Sequence, residues 1–197
     1  MKVLLATRNQ KKLGELRRIL DPAVAVELVG LDDVDGYPEA PETEASFAGN
    51  ALLKAREGVR YTGLPTIADD SGLTVDALNG MPGVLSARWA GKHGDDDANL
   101  ELVLAQLADV PDARLGAAFE CAAALVLPSG AEHIALGTMP GRLIRERRGG
   151  GGFGYDPIFV AAGHDRTNAE LTPEEKDAIS HRGKAFRALA QVLANAI

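Results

Sequence analysis

A single cysteine, Cys121, stands in the 197 residues, so no disulfide can close within the chain. Its apolar neighbours are those of a buried thiol rather than a nucleophile. Long apolar runs are also missing, and none approaches the roughly 18 residues of a membrane span. The short apolar stretch before Arg8-Asn9-Gln10-Lys11-Lys12 does not read as a signal peptide, so the expected location is cytoplasmic, with no membrane partner. Positive charge is in deficit: the formal net charge of -7 excludes a protein that wraps a nucleic-acid polymer, which would need a basic stripe. A small anionic ligand stays open, provided a few lysines and arginines gather locally. No Gly-x-x-x-x-Gly-Lys-Ser/Thr loop, internal repeat, low-complexity tract or long linker interrupts the chain. Residues 1–197 therefore read as one domain with two lobes, large enough to bury roughly 70% of its unfolded surface.

What is present is chemistry packed into Ile67-Ala68-Asp69-Asp70-Ser71-Gly72-Leu73-Thr74-Val75-Asp76, with two adjacent carboxylates, a hydroxyl and a glycine between apolar runs that read as strand. Neighbouring strand residues face opposite ways, so Asp69 and Asp70 share a site only where the strand ends or bulges, and Ser71-Gly72 is the expected break. Two carboxylates at a strand end suit Mg²⁺, which takes one or two of them and completes its shell with water and phosphate oxygens. A plain Asp-Ser-Gly turn with solvated acids fits the same residues.

Lys2 to Thr7 reads as a buried strand and Leu13, Leu16 and Leu20 as a helix, with Thr7-Arg8-Asn9-Gln10-Lys11-Lys12 as the turn between them. The N–H groups and partial positive charge of a helix start, with Asn9 and the lysines, suit a phosphate chain; lysines merely solvated in a first turn fit as well. Val24 to Val29 is a second strand, and Leu31 to Glu44 an acidic exposed loop with Glu42 near its end. Ser46 caps a helix expected to run to about Glu57 and to stop near Gly58. Asn50 and Lys54 share one face of it, either as a surface pair or as two arms reaching one anion.

Trp89, the one tryptophan, reads as a core or interface anchor, and Asp95, Asp96 and Asp97 as cap and first-turn acids of a helix carrying Leu100, Val103, Leu104 and Leu107. Leu115 to Leu127 and Ala131 to Thr138 suggest a hairpin over Pro128-Ser129-Gly130, followed by Pro140-Gly141 and a basic segment, Arg142 to Arg148. The run Gly149-Gly150-Gly151-Gly152-Phe153-Gly154-Tyr155-Asp156-Pro157 lets backbone approach a ligand closely, and a ring beside a carboxylate suits a base. Thr172, Pro173 and Glu175 spell a capping box, and Ser180-His181-Arg182-Gly183 breaks in before a last helix marked by Phe186, Leu189, Ala190 and Leu193. His93, His133 and His164 lack metal-ligand spacing; His181 beside Arg182 is the exception.

Together these stretches resemble the inosine triphosphate pyrophosphatase family, which hydrolyses noncanonical purine nucleoside triphosphates such as ITP, dITP and XTP. The likeness runs from Thr7-Arg8-Asn9 with Lys12, through Glu42, Phe47, Asn50-Ala51 and Lys54-Ala55-Arg56, to Ala68-Asp69-Asp70-Ser71-Gly72-Leu73. It continues in Pro82-Gly83, Ser86-Ala87-Arg88, Gly152 to Pro157, Glu175-Lys176 and Ile179 to Gly183. The resemblance implies an α/β fold, elongated and two-lobed, with a long mixed twisted sheet flanked by helices and an active-site cleft between lobes. It also implies a homodimer, Mg²⁺ as cofactor, and attack of water between the α- and β-phosphates to give monophosphate and pyrophosphate.

Carried over by residue, Thr7, Arg8, Asn9, Gln10, Lys11, Lys12 and Ser71 hold phosphates, and Asp70 binds the metal and acts as base. Glu42 assists with the metal and Asp69 supports that cluster, Lys54 with Lys12 and Lys176 neutralises phosphate oxygens, and Asn50 contacts the substrate. Phe153, Gly154, Tyr155, Asp156, Lys176, His181 and Arg182 complete the nucleotide site, where Arg182 or backbone N–H groups donate to O6 of the base. This chain departs from the family's common pattern at Arg8, Glu44, Gly49 and Trp89, where glycine, glycine, glutamate and tyrosine are frequent. Gly49 takes away the capping-box partner of Ser46. A related pyrophosphatase for other modified nucleotides, or a purine-nucleotide sensor without turnover, would carry much of the same pocket.

Overall fold

The structure, a computed structural model, describes residues 1–196. Two compact units divide the chain: the first holds Met1–Asp70, Cys121–Gly137 and the segment from Arg182 onward, the second Ser71–Glu120 and Thr138–His181. The strands are β1 (Lys2–Leu5), β2 (Glu27–Val29), β3 (Thr66–Val75), β4 (Gly116–Val126), β5 (Glu132–Leu143) and β6 (Phe159–Ala161). They form one mixed six-stranded sheet in the order β2-β1-β3-β4-β5-β6, with β1 parallel to β2 and β3 and with β5 antiparallel to β6. The helices are α1 (Gln10–Leu20), α2 (Phe47–Thr62), α3 (Asp96–Gln106), α4 (Pro173–Ile179) and α5 (His181–Ala196).

Alternation organises the first unit. Val3 and Leu5 of β1, Ile67 of β3 and Cys121, Ala123 and Leu125 of β4 pack with Leu16, Ile19 and Leu20 of α1 and Phe186, Leu189 and Leu193 of α5. The residues between them, Leu4 and Ala6, Ala68, and Ala122, Ala124 and Val126, pack with Ala51 and Ala55 of α2. A sheet covered on both faces has continuous apolar strands, which is why β4 carries an alanine run and why Cys121 is buried. Burial pushes the Cys121 thiol up, so it stays protonated and inert.

In the second unit Leu100 and Val103 of α3, with Leu107 that follows it, pack with Leu73 and Val75 of β3, with Ala117 and Phe119 of β4 and with Leu115 that precedes it. Trp89 lies partly buried against this core, its indole N–H donating to Gln106 Oε1 at 2.8 Å. Asp95 caps α3 by accepting from the Ala98 N–H, and Thr172 and Glu175 form the expected reciprocal box on α4.

Several boundaries depart from the sequence expectation, for identifiable reasons. β3 is not broken at Ser71-Gly72; it runs unbroken from Thr66 to Val75. A Cβ on Gly72 would sit 2.4 Å from Ser86 Oγ and 2.5 Å from the Gly83 carbonyl, so this glycine admits a neighbouring turn rather than ending the strand. Likewise α2 passes Gly58 and ends at Gly63, whose φ of 65° is the left-handed helix stop. A Cβ on Gly58 would lie 2.4 Å from Thr66 Cγ2, so its smallness seats α2 on β3. β5 continues through Pro140-Gly141 to Leu143, where it pairs with β6, while β2 is only Glu27–Val29.

The departures at Glu44 and Gly49 are one compensated change. A Cβ on Gly49 would meet Glu44 Cβ at 2.7 Å, so a side chain at 44 forces glycine at 49. Gly49→Ala is therefore expected to destabilise the protein by about 1–3 kcal/mol through overpacking. In a Glu44→Gly background the same change should stabilise by up to about 1 kcal/mol from helix propensity. Urea unfolding of the four proteins measures this, and equal effects in both backgrounds would refute the steric link.

Candidate functional site

Because β3 is unbroken, Asp69 and Asp70 point to opposite faces of it, Asp69 with Ile67 toward α1 and α5 and Asp70 with Ala68 toward α2. Each meets its own partners. Asp69, 2% exposed, accepts from Lys12 Nζ at 3.1 Å and from Arg182 Nε at 3.4 Å on one oxygen. Arg182 Nη1 also donates to Glu15, another buried acid. Burial alone would raise the Asp69 pKa, but the charges of Lys12, Arg182 and Lys54 outweigh it and hold the carboxyl well below the usual range.

Asp70, 5% exposed, differs. Its Oδ2 accepts from Asn50 Nδ2 at 3.0 Å, and its Oδ1 lies 3.8 Å from Lys54 Nζ, which donates to Glu42 Oε1 at 2.9 Å. Asn50 and Lys54 are thus two arms of α2 reaching one anion, which is Asp70 itself. Burial pushes the Asp70 pKa up, with Lys54 opposing and Glu42 adding to the rise. Burial likewise works against charge on Lys54, yet Asp70, Asp69 and Glu42 together raise its pKa and keep it an ammonium. Identical residue types one position apart therefore differ in character: Asp69 is a fixed anion and Asp70 a carboxyl whose pKa burial raises.

The hard oxygen donors on Asp70 and Glu42 fit a divalent ion such as Mg²⁺. No group of three or more His, Cys, Asp or Glu suited to a metal occurs among the described residues. Such a pair leaves the rest of the shell to water and phosphate, as Mg²⁺ prefers.

The turn before α1 is built by Asn9, whose Oδ1 accepts from the Lys11 and Lys12 N–H groups at 3.0 and 3.1 Å. Thr7 Oγ1 accepts from the Asn9 N–H, and Gln10 Nε2 donates to Asp32. Arg8 Nη2 donates to the Tyr37 carbonyl at 2.8 Å, tying this turn to the acidic loop that carries Glu42. Tyr37 is in turn stacked on Tyr61 of α2 with ring centroids 5.0 Å apart.

In the second unit the glycine-rich loop closes on Asp156, which is 2% exposed. Its Oδ2 accepts from the Phe153 N–H at 2.9 Å and from Lys176 Nζ at 2.7 Å, and its Oδ1 from Asn168 Nδ2 at 3.1 Å. The same ammonium lies 4.8 Å from the centre of the Phe153 ring. Gly154 donates its N–H to Asp96 of α3 at 3.0 Å. Tyr155 is buried and donates its hydroxyl to the Ser86 carbonyl at 2.8 Å, with burial pushing its pKa up. Ser71 is partly exposed on β3 immediately after Asp70, and His181 is buried and stacked on Phe119 at 5.0 Å.

The structure thus gathers Lys12, Glu42, Asn50, Lys54, Asp69, Asp70 and Arg182 in the first unit, and Phe153, Gly154, Tyr155, Asp156 and Lys176 in the second. Three supporting residues escaped sequence reasoning. Glu15 sits three positions after Lys12, a spacing that places both on one face of α1, and this was the available signal. Asn168 and Ser86, which brace Asp156 and Tyr155, carry no local signature of that role.

A profile of the Ham1 family matches residues 3–192. A protein of Nocardia farcinica named dITP/XTP pyrophosphatase is 63% identical over 195 residues, covering 98% of this chain and 95% of its own length. The crystal structure of a nucleoside-triphosphatase / dITP/XTP pyrophosphatase from Mycobacterium abscessus superimposes with a TM-score of 0.79 at 63% identity, over 98% of this chain and 99% of that one. A HAM1 protein from Coxiella burnetii gives a TM-score of 0.89 at 42% identity, over 99% of both chains.

Proposed function

The chain belongs to the Ham1 family, and on that premise we propose that it hydrolyses the noncanonical purine nucleoside triphosphates dITP, ITP and XTP to monophosphate and pyrophosphate. The relatives' names support the substrate class. The observation that carries the chemistry is the unlike pair on β3, with Asp69 a fixed anion and Asp70 a buried carboxylate of raised pKa beside Lys54.

In this reading Asp70 takes a proton from water as the water oxygen bonds to the α-phosphorus. The bond from that phosphorus to the bridging oxygen breaks, and pyrophosphate leaves. Lys12, held by Asp69, and Lys54 neutralise phosphate oxygens as charge develops, and the Thr7 to Lys12 turn and Ser71 position the chain of phosphates. Mg²⁺ held by Asp70 and Glu42 would supply further positive charge to the phosphates. Arg182 is engaged by Asp69 and Glu15, so its part is to fix Asp69.

Phe153 stacks on the base, and backbone N–H groups donate to the O6 acceptor of hypoxanthine or xanthine. Adenine presents an amino donor there and would leave those donors unpaired at about 1–3 kcal/mol each. His181 and Asp156 complete this part of the site. No helix among the described residues is long and apolar enough to cross a membrane. One domain over residues 1–197, a homodimer and a cytoplasmic location belong to the same proposal, supported by the family resemblance.

Incubating dITP, ITP, XTP, GTP and ATP with the protein and Mg²⁺, and scoring pyrophosphate against orthophosphate, tests the proposal. Pyrophosphate from the first three well above the last two is expected; orthophosphate alone, or no turnover, would overturn it. Phe153→Ala should raise KM for dITP about tenfold or more, since base–aromatic stacking contributes about 1–3 kcal/mol. Inhibition by inorganic tripolyphosphate should not change, and equal weakening of both would remove Phe153 from the base.

A further inference from the structure

Five glycines at 149–152 and 154 make the segment around Phe153 the most expensive stretch of backbone to order in the chain. Most of its hydrogen bonds are made to nearby chain: Gly151 N–H to the Ala169 carbonyl at 2.9 Å, Phe153 N–H to Asp156, and the Arg148 N–H to the Pro157 carbonyl at 2.9 Å. The first two turns of α3 hold it from farther along the sequence. Ahead of the glycines, Arg147 donates to Asp97 at 2.5 Å and to Glu101 at 2.6 Å. Beyond them, the Gly154 N–H donates to Asp96 Oδ2 at 3.0 Å, at a glycine whose φ is +60°. Asp95, Asp96 and Asp97 therefore have separate tasks. Asp95 caps the helix, Asp97 pairs with Arg147, and Asp96 reaches the main chain beside Phe153.

We propose that Asp96 is a positioning residue for base recognition, latching Gly154 to α3 so that the Phe153 ring is presented in one place. This rests on the reading of Phe153 as the base-stacking residue. A carboxylate accepting from a main-chain N–H is the stronger kind of hydrogen bond, and here it replaces the freedom that the glycines would otherwise have. The exposed Arg147 pairs add direction more than strength, because surface ion pairs contribute little. Asp96 and Gly154 belong to the second unit and Asp70 and Lys54 to the first, and the latch is assigned to capture of the base rather than to the chemical step.

The test is kinetics on dITP with wild type, Asp96→Ala, Asp96→Asn, Phe153→Ala and the Asp96→Ala/Phe153→Ala double variant, together with amide hydrogen exchange over 149–155. Asp96→Ala should raise KM about tenfold with kcat nearly unchanged, as expected for loss of a hydrogen bond to a charged group. Asp96→Asn, which keeps an acceptor oxygen, should recover most of that loss. The double variant should have the KM of Phe153→Ala alone, because the two residues act through one ring. Exchange at 149–155 should be faster in Asp96→Ala than in wild type. Additive KM effects, a fall in kcat alone, or unchanged exchange would overturn the latch. A wild type that releases no pyrophosphate from dITP while Asp96→Ala still speeds exchange would instead overturn the proposed activity and leave the latch standing as a loop constraint.

Discussion

Asp70→Asn should melt at or above the wild-type temperature while releasing pyrophosphate from dITP about 10²–10⁴-fold more slowly, the range that general acid–base groups contribute. Both halves follow from one environment. Asp70 is 5% exposed, and burial with the nearby Glu42 pushes its pKa up. A carboxyl whose folded pKa lies above its unfolded value is ionised in the native state at a cost to stability, and that cost grows as pH rises through the two values. The isosteric amide carries no charge to desolvate and keeps an oxygen for the Asn50 Nδ2 donor now found at 3.0 Å. Lys54 keeps Glu42 as its partner at 2.9 Å. What the variant lacks is a proton acceptor and an anionic metal ligand. Melting curves and pyrophosphate release on the same preparation decide the matter. Near-wild-type turnover would remove Asp70 from the chemistry, and a large fall in melting temperature would make it a structural anion like its neighbour.

Arg182→Met should destabilise the protein by about 3–5 kcal/mol, the usual consequence of removing one member of a buried ionic network. For a chain of 197 residues that corresponds to a melting temperature lower by about 6–20 °C. The guanidinium is 3% exposed and donates to Asp69 and to Glu15, which are 2% and 7% exposed. Burial works against its charge, and the two carboxylates overcome this and raise its pKa. With the arginine gone Asp69 retains Lys12, whereas Glu15 loses the guanidinium from which it accepts. Adding Glu15→Gln to Arg182→Met should therefore recover a measurable part of the loss. A urea midpoint for Arg182→Met within about 0.5 kcal/mol of wild type would show that the network has no structural weight.

Elements with a strong local signature were legible before any coordinates. The Thr172-Pro173-Glu175 box, the Asp95 cap, the stripe of Phe186, Leu189, Ala190 and Leu193, and the burial of Cys121 all depend on neighbours in sequence or on periodicity. The i,i+4 spacing placed Asn50 and Lys54 on one face and left a surface pair and a shared anion both open; that they reach Asp70 came from the structure. The failures share a cause. Gly58 and Gly72 looked like punctuation because glycine most often is, whereas both are set by what packs against them, Thr66 and Ser86. Glu15 drew no reading at all, since its partner is 167 positions away in sequence. Long-range packing decided each case, and no window of sequence contains it.

The uninterrupted β3 imposes a parity rule on the gene. With odd positions Ile67 and Asp69 on one face and even positions Ala68 and Asp70 on the other, inserting or deleting a single codon between Thr66 and Asp69 would turn each acid to the opposite face. An insertion would carry the first acid into the place of Asp70 and leave the place beside Lys12 and Arg182 without a carboxylate. A deletion would carry the second acid into the place of Asp69 and leave the place beside Asn50 and Lys54 without one. Both acids would still be present and adjacent, yet only one of the two environments would hold an acid.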